Sequence, residues 1–213
     1  MFSSDRTDWE TPNLLYDYLN TYFGPFNLDA AASMYNAKCA EYFTKEDNGL
    51  LSSWQGHNVY VNPPYGRGIT GKWVNKAYKE VYDTAMYNSR IVVEKDFTVG
   101  DMKPPTKVTM LLPARTETKF FKMCANAQQI YFITGRIYFE LNGEQILSEK
   151  TGKPTPAPFP SVIVVFDSEH MSIPPSWGFI DGKSFKKSTP KHNVTIECEG
   201  GISCVKEAVN TTS

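Results

Sequence analysis

Val59-Tyr60-Val61 runs directly into Asn62-Pro63-Pro64-Tyr65, and no other junction constrains the chain as strongly. Three consecutive apolar residues read as a buried strand. The prolines next to them cannot extend a ladder, because each lacks an N–H and fixes its own φ. The strand therefore stops where open α/β sheets bind ligands, at a carboxyl end. The tetrapeptide there is chemically specific. The Asn62 side-chain carbonyl and a prolyl backbone carbonyl can both accept hydrogen bonds from a planar amino group, and the prolines hold these acceptors in a stiff, extended geometry. Tyr65 offers a ring on which the ring carrying that amino group can stack, an interaction worth about 1–3 kcal/mol per base in nucleic-acid sites. An Asn-Pro turn continuing through Tyr65-Gly66 is the bland alternative.

The remaining composition narrows the setting. A chain of 213 residues, 41% hydrophobic and 14% aromatic, suits one α/β domain with a full core. Met1–Arg6 has no apolar h-region, and no stretch reaches the roughly 18 apolar residues of a membrane span, so a soluble, unexported, cytoplasmic chain is expected. Cys39, Cys124, Cys198 and Cys204 form no CxxC pair, and His57, His170 and His192 lack ligand spacing. Reduced thiols and no metal are expected. The net charge of −1 is nearly neutral, but its distribution is uneven. Gly66–Lys79 carries Arg67, Lys72, Lys76 and Lys79 and no acid. On a helix opening at Thr70 the three lysines share one face, while Trp73, Ala77, Tyr78 and Val81 line another. A solvated lysine face is the alternative to a phosphate-contacting stripe. Lys183, Lys186, Lys187 and Lys191 form a second cluster, read first as solvated.

Periodicity predicts helices near 12–22, 71–87 and 117–127, and strands at 26–31, 41–44, 58–62, 108–112 and 130–133. A final antiparallel pair is expected at 136–141 and 162–166. Alternating strands and helices imply a mainly parallel sheet covered on both faces, with an antiparallel edge. The domain reads as 1–182, with candidate target-reading inserts at 88–107 and 143–160 and a polar extension over 183–213.

Five stretches in order carry a resemblance: Asp8-Trp9-Glu10-Thr11-Pro12, Asn27-Leu28-Asp29-Ala30-Ala31-Ala32, Asn62-Pro63-Pro64-Tyr65, Leu111–Thr118 and Gly135-Arg136-Ile137-Tyr138-Phe139. With them the chain resembles the bacteriophage-type DNA N6-adenine methyltransferases from Asp8 to about Phe166. The resemblance implies the Rossmann-like S-adenosylmethionine-dependent methyltransferase fold, double-stranded DNA as partner, and a flipped adenine held by Asn62, Pro63, Pro64 and Tyr65. It also implies the host-cell cytoplasm for a phage-encoded chain. Asp29, at the end of the first strand, is placed to attract the cofactor's cationic end. The resemblance sets Trp9, Thr11 and Pro12 against the cofactor as well, although Thr11-Pro12 also reads as a helix start. Asp47 resembles the acidic position that takes the cofactor's adenine amino group, and an Asp-Asn-Gly turn explains it equally. Alanines follow Asp29 where many methyltransferases carry glycines, which cannot be replaced cheaply at positive φ. Arg115 and Arg136 also resemble family positions, and either suits DNA phosphate contact or a structural ion pair, the ion pair being preferred for Arg136. The competing functions are methylation of another planar amine, an RNA base or a glutamine amide, and a catalytically idle nucleic-acid-binding module.

Overall fold

A computed structural model describes residues 9–93, 99–171, 175–185 and 196–198. Lys186, Lys187 and Lys191, and most of the 183–213 extension, lie outside the described residues. The elements in order are α1 (Asn13–Phe23), β1 (Leu28–Asp29), β2 (Glu41–Tyr42), β3 (Asn58–Val61), α2 (Thr70–Val93), β4 (Lys107–Pro113), α3 (Lys119–Cys124) and β5 (Gln129–Thr134). They continue with β6 (Glu140–Leu141), β7 (Glu144–Gln145), β8 (Ser161–Asp167), β9 (Ser176–Asp181) and β10 (Ile196–Cys198).

One sheet has the order β10-β9-β5-β8-β4-β3-β1-β2, and β6 and β7 form a separate small hairpin. β2, β1, β3 and β4 run parallel to one another, as do β5 and β9. β8 runs against both β4 and β5, and β10 runs against β9 at the outer edge. The α/β, Rossmann-like architecture implied by the sequence is therefore present, with β8 antiparallel inside the sheet and β10 antiparallel at its edge.

Residue alternation along the strands sorts the core into two layers. Tyr60, Leu111, Ile163 and Val165 face α1, where Leu15, Leu19 and Phe23 meet them. Val59, Val61, Met110, Leu112, Val162 and Val164 face the other way, against Trp73, Val74, Ala77 and Val81 of α2. The face expected for α2 from its spacing is thus the buried one, with Tyr78 partly buried beside it. The helix runs on to Val93, into the segment read as an insert. α1 stops at Gly24, where a Cβ would sit 2.3 Å from the Asn20 carbonyl oxygen.

The antiparallel pair expected between 136–141 and 162–166 does not form. Val162–Phe166 is at most 1% exposed, hence covered on both faces and hydrogen-bonded on both sides by β4 and β5. An apolar run of that kind belongs inside a sheet. Residues 136–141 instead leave the sheet, and Ile137 and Phe139 pack onto the α1 layer. β9, unforeseen, takes the place beyond β5, and Phe185 packs on Tyr18 at a ring separation of 5.3 Å, so the core extends past 182. The helix expected at 117–127 contracts to α3.

Candidate active site at the switch point

From β1 the chain passes outward to β2 and then returns to the other side of β1 as β3. The strand order reverses between β1 and β3, and crevices outside the carboxyl ends of such strands bind ligands. Asp29 ends β1 and Asn62 follows the last residue of β3, so the two polar groups singled out in the sequence flank this point.

Asn62 is held from both sides. Its Nδ2 donates to the Trp9 carbonyl at 2.5 Å, and its Oδ1 accepts from the Tyr65 hydroxyl at 2.6 Å. The Leu111 carbonyl lies 3.1 Å from the same hydroxyl, which has one proton to give. Pro63 is buried, and its carbonyl takes no hydrogen bond from the described residues. Tyr65 is only 6% exposed, and its ring meets Phe139 and Phe159 edge-on at 6.3 and 5.4 Å. The open stacking face expected from the sequence is therefore folded into an aromatic cluster that includes Trp9.

Asp29 is 3% exposed and accepts the N–H groups of Ala31 at 3.3 Å and Lys38 at 3.1 Å. Burial pushes its carboxyl up to about 6, and the two backbone donors and the Lys38 charge only partly oppose that shift. The Lys38 ammonium is directed at the Asn13 side-chain oxygen. Neighbouring Tyr16, bonded to Cys39 at 3.4 Å, has its hydroxyl held well above the ordinary range, chiefly by burial. The alanine run after Asp29 keeps the loop tight without glycine: Ala30 N–H joins Tyr60 O and Ala32 N–H joins Phe43 O.

A cleft of about 360 Å³ opens beside these groups, lined by Glu10, Asn13, Tyr16, Asp17, Lys38 and Glu140 among others. That volume suits a small-molecule site. The cofactor candidates Trp9, Thr11, Pro12 and Asp29 flank this cleft through sequence neighbours and do not line it themselves. Thr11 is buried with its hydroxyl 2.6 Å from that of Tyr60, and so does not cap α1; Pro12 holds the cap position. Asp47 is fully exposed, and its carboxylate accepts the N–H and hydroxyl of Thr44 in a local turn, which holds it below the usual carboxylate range. Asn13, Tyr16, Lys38 and Glu140 were not legible as site residues. They follow the motifs or lie far from them, and only the fold brings them to one opening.

Of the basic candidates, Arg67, Lys72, Lys79 and Arg115 are exposed. Lys76 is drawn inward, pairing with Glu80 and lying 5.5 Å from the centre of the Trp54 ring. The other Glu80 oxygen accepts the Trp54 backbone N–H at 3.0 Å. The i,i+4 spacing of Lys76 and Glu80 was the available signal. Arg136 is exposed and forms no salt bridge among the described residues, so the ion pair expected for it is not found. Among the described residues no cluster of His, Cys, Asp and Glu could hold a metal, and no helix is long and apolar enough to cross a membrane.

A Rossmann-like sheet thus carries Asn62-Pro63-Pro64-Tyr65 beyond one interior strand and a buried carboxylate at the end of its neighbour. Residues 1–187 match the family described as DNA N-6-adenine-methyltransferase (Dam), and the chain belongs to it. It is 31% identical over 154 residues to the DNA N-6-adenine-methyltransferase of Haemophilus phage HP1, covering 71% of this chain and 76% of that one. It is 30% identical over 159 residues to the DNA N-6-adenine-methyltransferase of Escherichia phage T1, covering 70% of this chain and 57% of that one.

The raised Asp29 carboxyl gives a stability signature in the free protein. A group whose folded pKa lies near 6 against an ordinary 3.8 contributes stability that is fully present below about 3.8 and is lost as pH rises through about 6. Asp29→Asn removes that titration. Urea unfolding of parent and variant should therefore show the difference moving in the variant's favour between pH 4 and pH 7; parallel pH profiles would contradict it.

Proposed function

We propose that this protein is a site-specific DNA adenine-N6 methyltransferase acting on a base turned out of the duplex, with S-adenosylmethionine as donor. The observation that carries the proposal is Asn62 at the end of β3, with its amide held at both ends and the Pro63 carbonyl beside it. The exocyclic amine of adenine is a poor nucleophile, because its lone pair is delocalised into the ring. Hydrogen bonds from its two N–H groups to Asn62 Oδ1 and Pro63 O draw the nitrogen toward tetrahedral geometry and stabilise the positive charge that develops on it. The Tyr65 hydroxyl occupies Oδ1 in the structure, and the Leu111 carbonyl at 3.1 Å offers its proton a second acceptor when the amine arrives.

The residues present fit S-adenosylmethionine. Asp29 is a buried carboxylate suited to the ammonium or sulfonium charge, and the cleft beside it combines Glu10 and Asp17 with Lys38 and Asn13, a donor set for a zwitterion bearing hydroxyls. When bound, the cofactor supplies a methyl group activated by a positively charged sulfur. Asn62 and Pro63 would orient the amine toward that methyl group by holding its two N–H groups, and the nitrogen, once it carries the methyl, would return to neutrality by losing one of those protons to solvent. Trp9, Thr11 and Pro12 hold the strap beside the cleft, and Asp47 remains a candidate for the cofactor's adenine end.

The amine is inaccessible within a duplex, so the base must be extruded. Pro64 stiffens the turn, and Tyr65 is the proposed stacking surface for the extruded base. Double-stranded DNA is met by Arg67, Lys72, Lys79 and Arg115, with Lys76 supporting α2 from within.

Asn62→Ala should raise the transfer barrier by about 2.7–4 kcal/mol in single-turnover assays, as removal of one preorganised polar group does elsewhere. Cofactor affinity by calorimetry should be largely unchanged; activity within a few-fold of the parent would remove the proposed role. For DNA docking, replacing Lys72 and Lys79 by Gln should lower the salt slope of log K by about 1.8 on duplex DNA while sequence preference survives. Lys76→Gln alone should leave that slope in place and lower the urea midpoint. An unchanged slope in the double variant would make the exposed lysines a solvated face.

A further inference from the structure

Asn62 carries out the proposed chemistry through one half of its amide, so the contact that decides which half faces the target matters. Amide oxygen and nitrogen have nearly the same shape, and only their partners distinguish them. Here the partner is the Trp9 backbone carbonyl, which accepts and cannot donate. It can face only the NH2 half; rotating the amide by half a turn would set two acceptors against each other. Oδ1 is thereby turned to the opposite side, where it meets the Tyr65 hydroxyl.

That carbonyl is itself fixed by packing. The Trp9 indole sits against Phe139 at a ring separation of 5.4 Å and against the edge of Phe159 at 5.6 Å. The next residue, Glu10, exchanges backbone hydrogen bonds with Glu140 in both directions, at 3.1 and 2.9 Å, and its carboxylate accepts the Gly143 N–H at 3.1 Å. The strap is thus riveted to a segment far along the chain, and Phe139 and Phe159 also meet Tyr65.

We infer that Trp9 is a positioning residue for the target amine: its indole, seated against Phe139 and Phe159, holds the backbone carbonyl that orients the Asn62 amide. This role rests on the reading of Asn62 as the amine's acceptor, and it differs from walling the cofactor.

The test is a double-variant cycle on single-turnover methyl transfer at saturating cofactor, using the full chain as parent, Trp9→Ala, Trp9→Phe, Asn62→Ala and the Trp9→Ala/Asn62→Ala pair. Trp9→Ala should slow transfer by about tenfold or more, Trp9→Phe should stay within about threefold of the parent, and Trp9→Ala should change the rate less than about twofold when Asn62 is already gone. The same loss in both backgrounds would overturn the inference while leaving Asn62 in its role. So would a loss confined to cofactor affinity with the saturated rate unchanged. A near-parental rate for Asn62→Ala would instead remove the reading of Asn62 itself, and the inference with it. Should Trp9→Ala fail to fold, Phe159→Leu loosens one wall of the seat, and its smaller loss should likewise vanish in the Asn62→Ala background; an undiminished loss there would overturn the inference.

Discussion

β3 has no freedom in this structure. It pairs with β1 on one side and β4 on the other, and Val59, Tyr60 and Val61 are at most 1% exposed, so both faces are covered as well. A strand held in four directions fixes where its last residue lies. The prolines after it then fix how the chain leaves, because neither can join a ladder. Asn62 inherits a position that rests on the whole core, and the Trp9 carbonyl and Tyr65 hydroxyl then aim its short side chain. The return of the chain from β2 to β3 across β1 sets Asp29 on the neighbouring strand end, so one topological event builds both halves of the site.

The two halves are joined by the 9–13 strap. At one end the Trp9 carbonyl touches Asn62; farther along, Glu10 and Asn13 line the polar cleft, and the buried Thr11 hydroxyl is tied to Tyr60 of β3. Burying Asp29 opposes folding at neutral pH, since a carboxylate is poorly solvated there. A site that keeps such a group ionised stores affinity for a cation, at the expense of stability in the free protein. The same logic covers Asn62, whose oxygen is provisionally satisfied by a hydroxyl that has another acceptor within reach.

Legibility in the sequence tracks the range of the interactions. β3, its polar terminus and Asp29 were legible because strand burial and strand ends leave marks within a few residues. The buried stripe of α2 was legible for the same reason, through its 3.6-residue period. Lys76 departs from the expected basic stripe because Glu80, just beyond the acid-free stretch that ends at Lys79, captures it. β9 carries no such mark: Trp177 and Phe179 are exposed and Gly178 interrupts the run, so it lacks the signature of a covered strand. The cleft was not legible at all, since Glu10, Lys38 and Glu140 meet only through tertiary contacts. The pairing expected for 136–141 fails in the same way, because nothing local says that Val162–Phe166 must be flanked on both sides. The aromatic seat of Trp9 is of this second kind.

The Asn62 end of β3 is proposed to direct methyl transfer to adenine N6 in DNA. Modification-sensitive sequencing of DNA from cells expressing the parent chain or Asn62→Ala tests it most directly, since it reports the modified base and its sequence context together. N6-methyladenine at a defined sequence is expected with the parent, and its loss with the variant. Absence of modified adenine with a folded parent protein, or equal modification by Asn62→Ala, would contradict it.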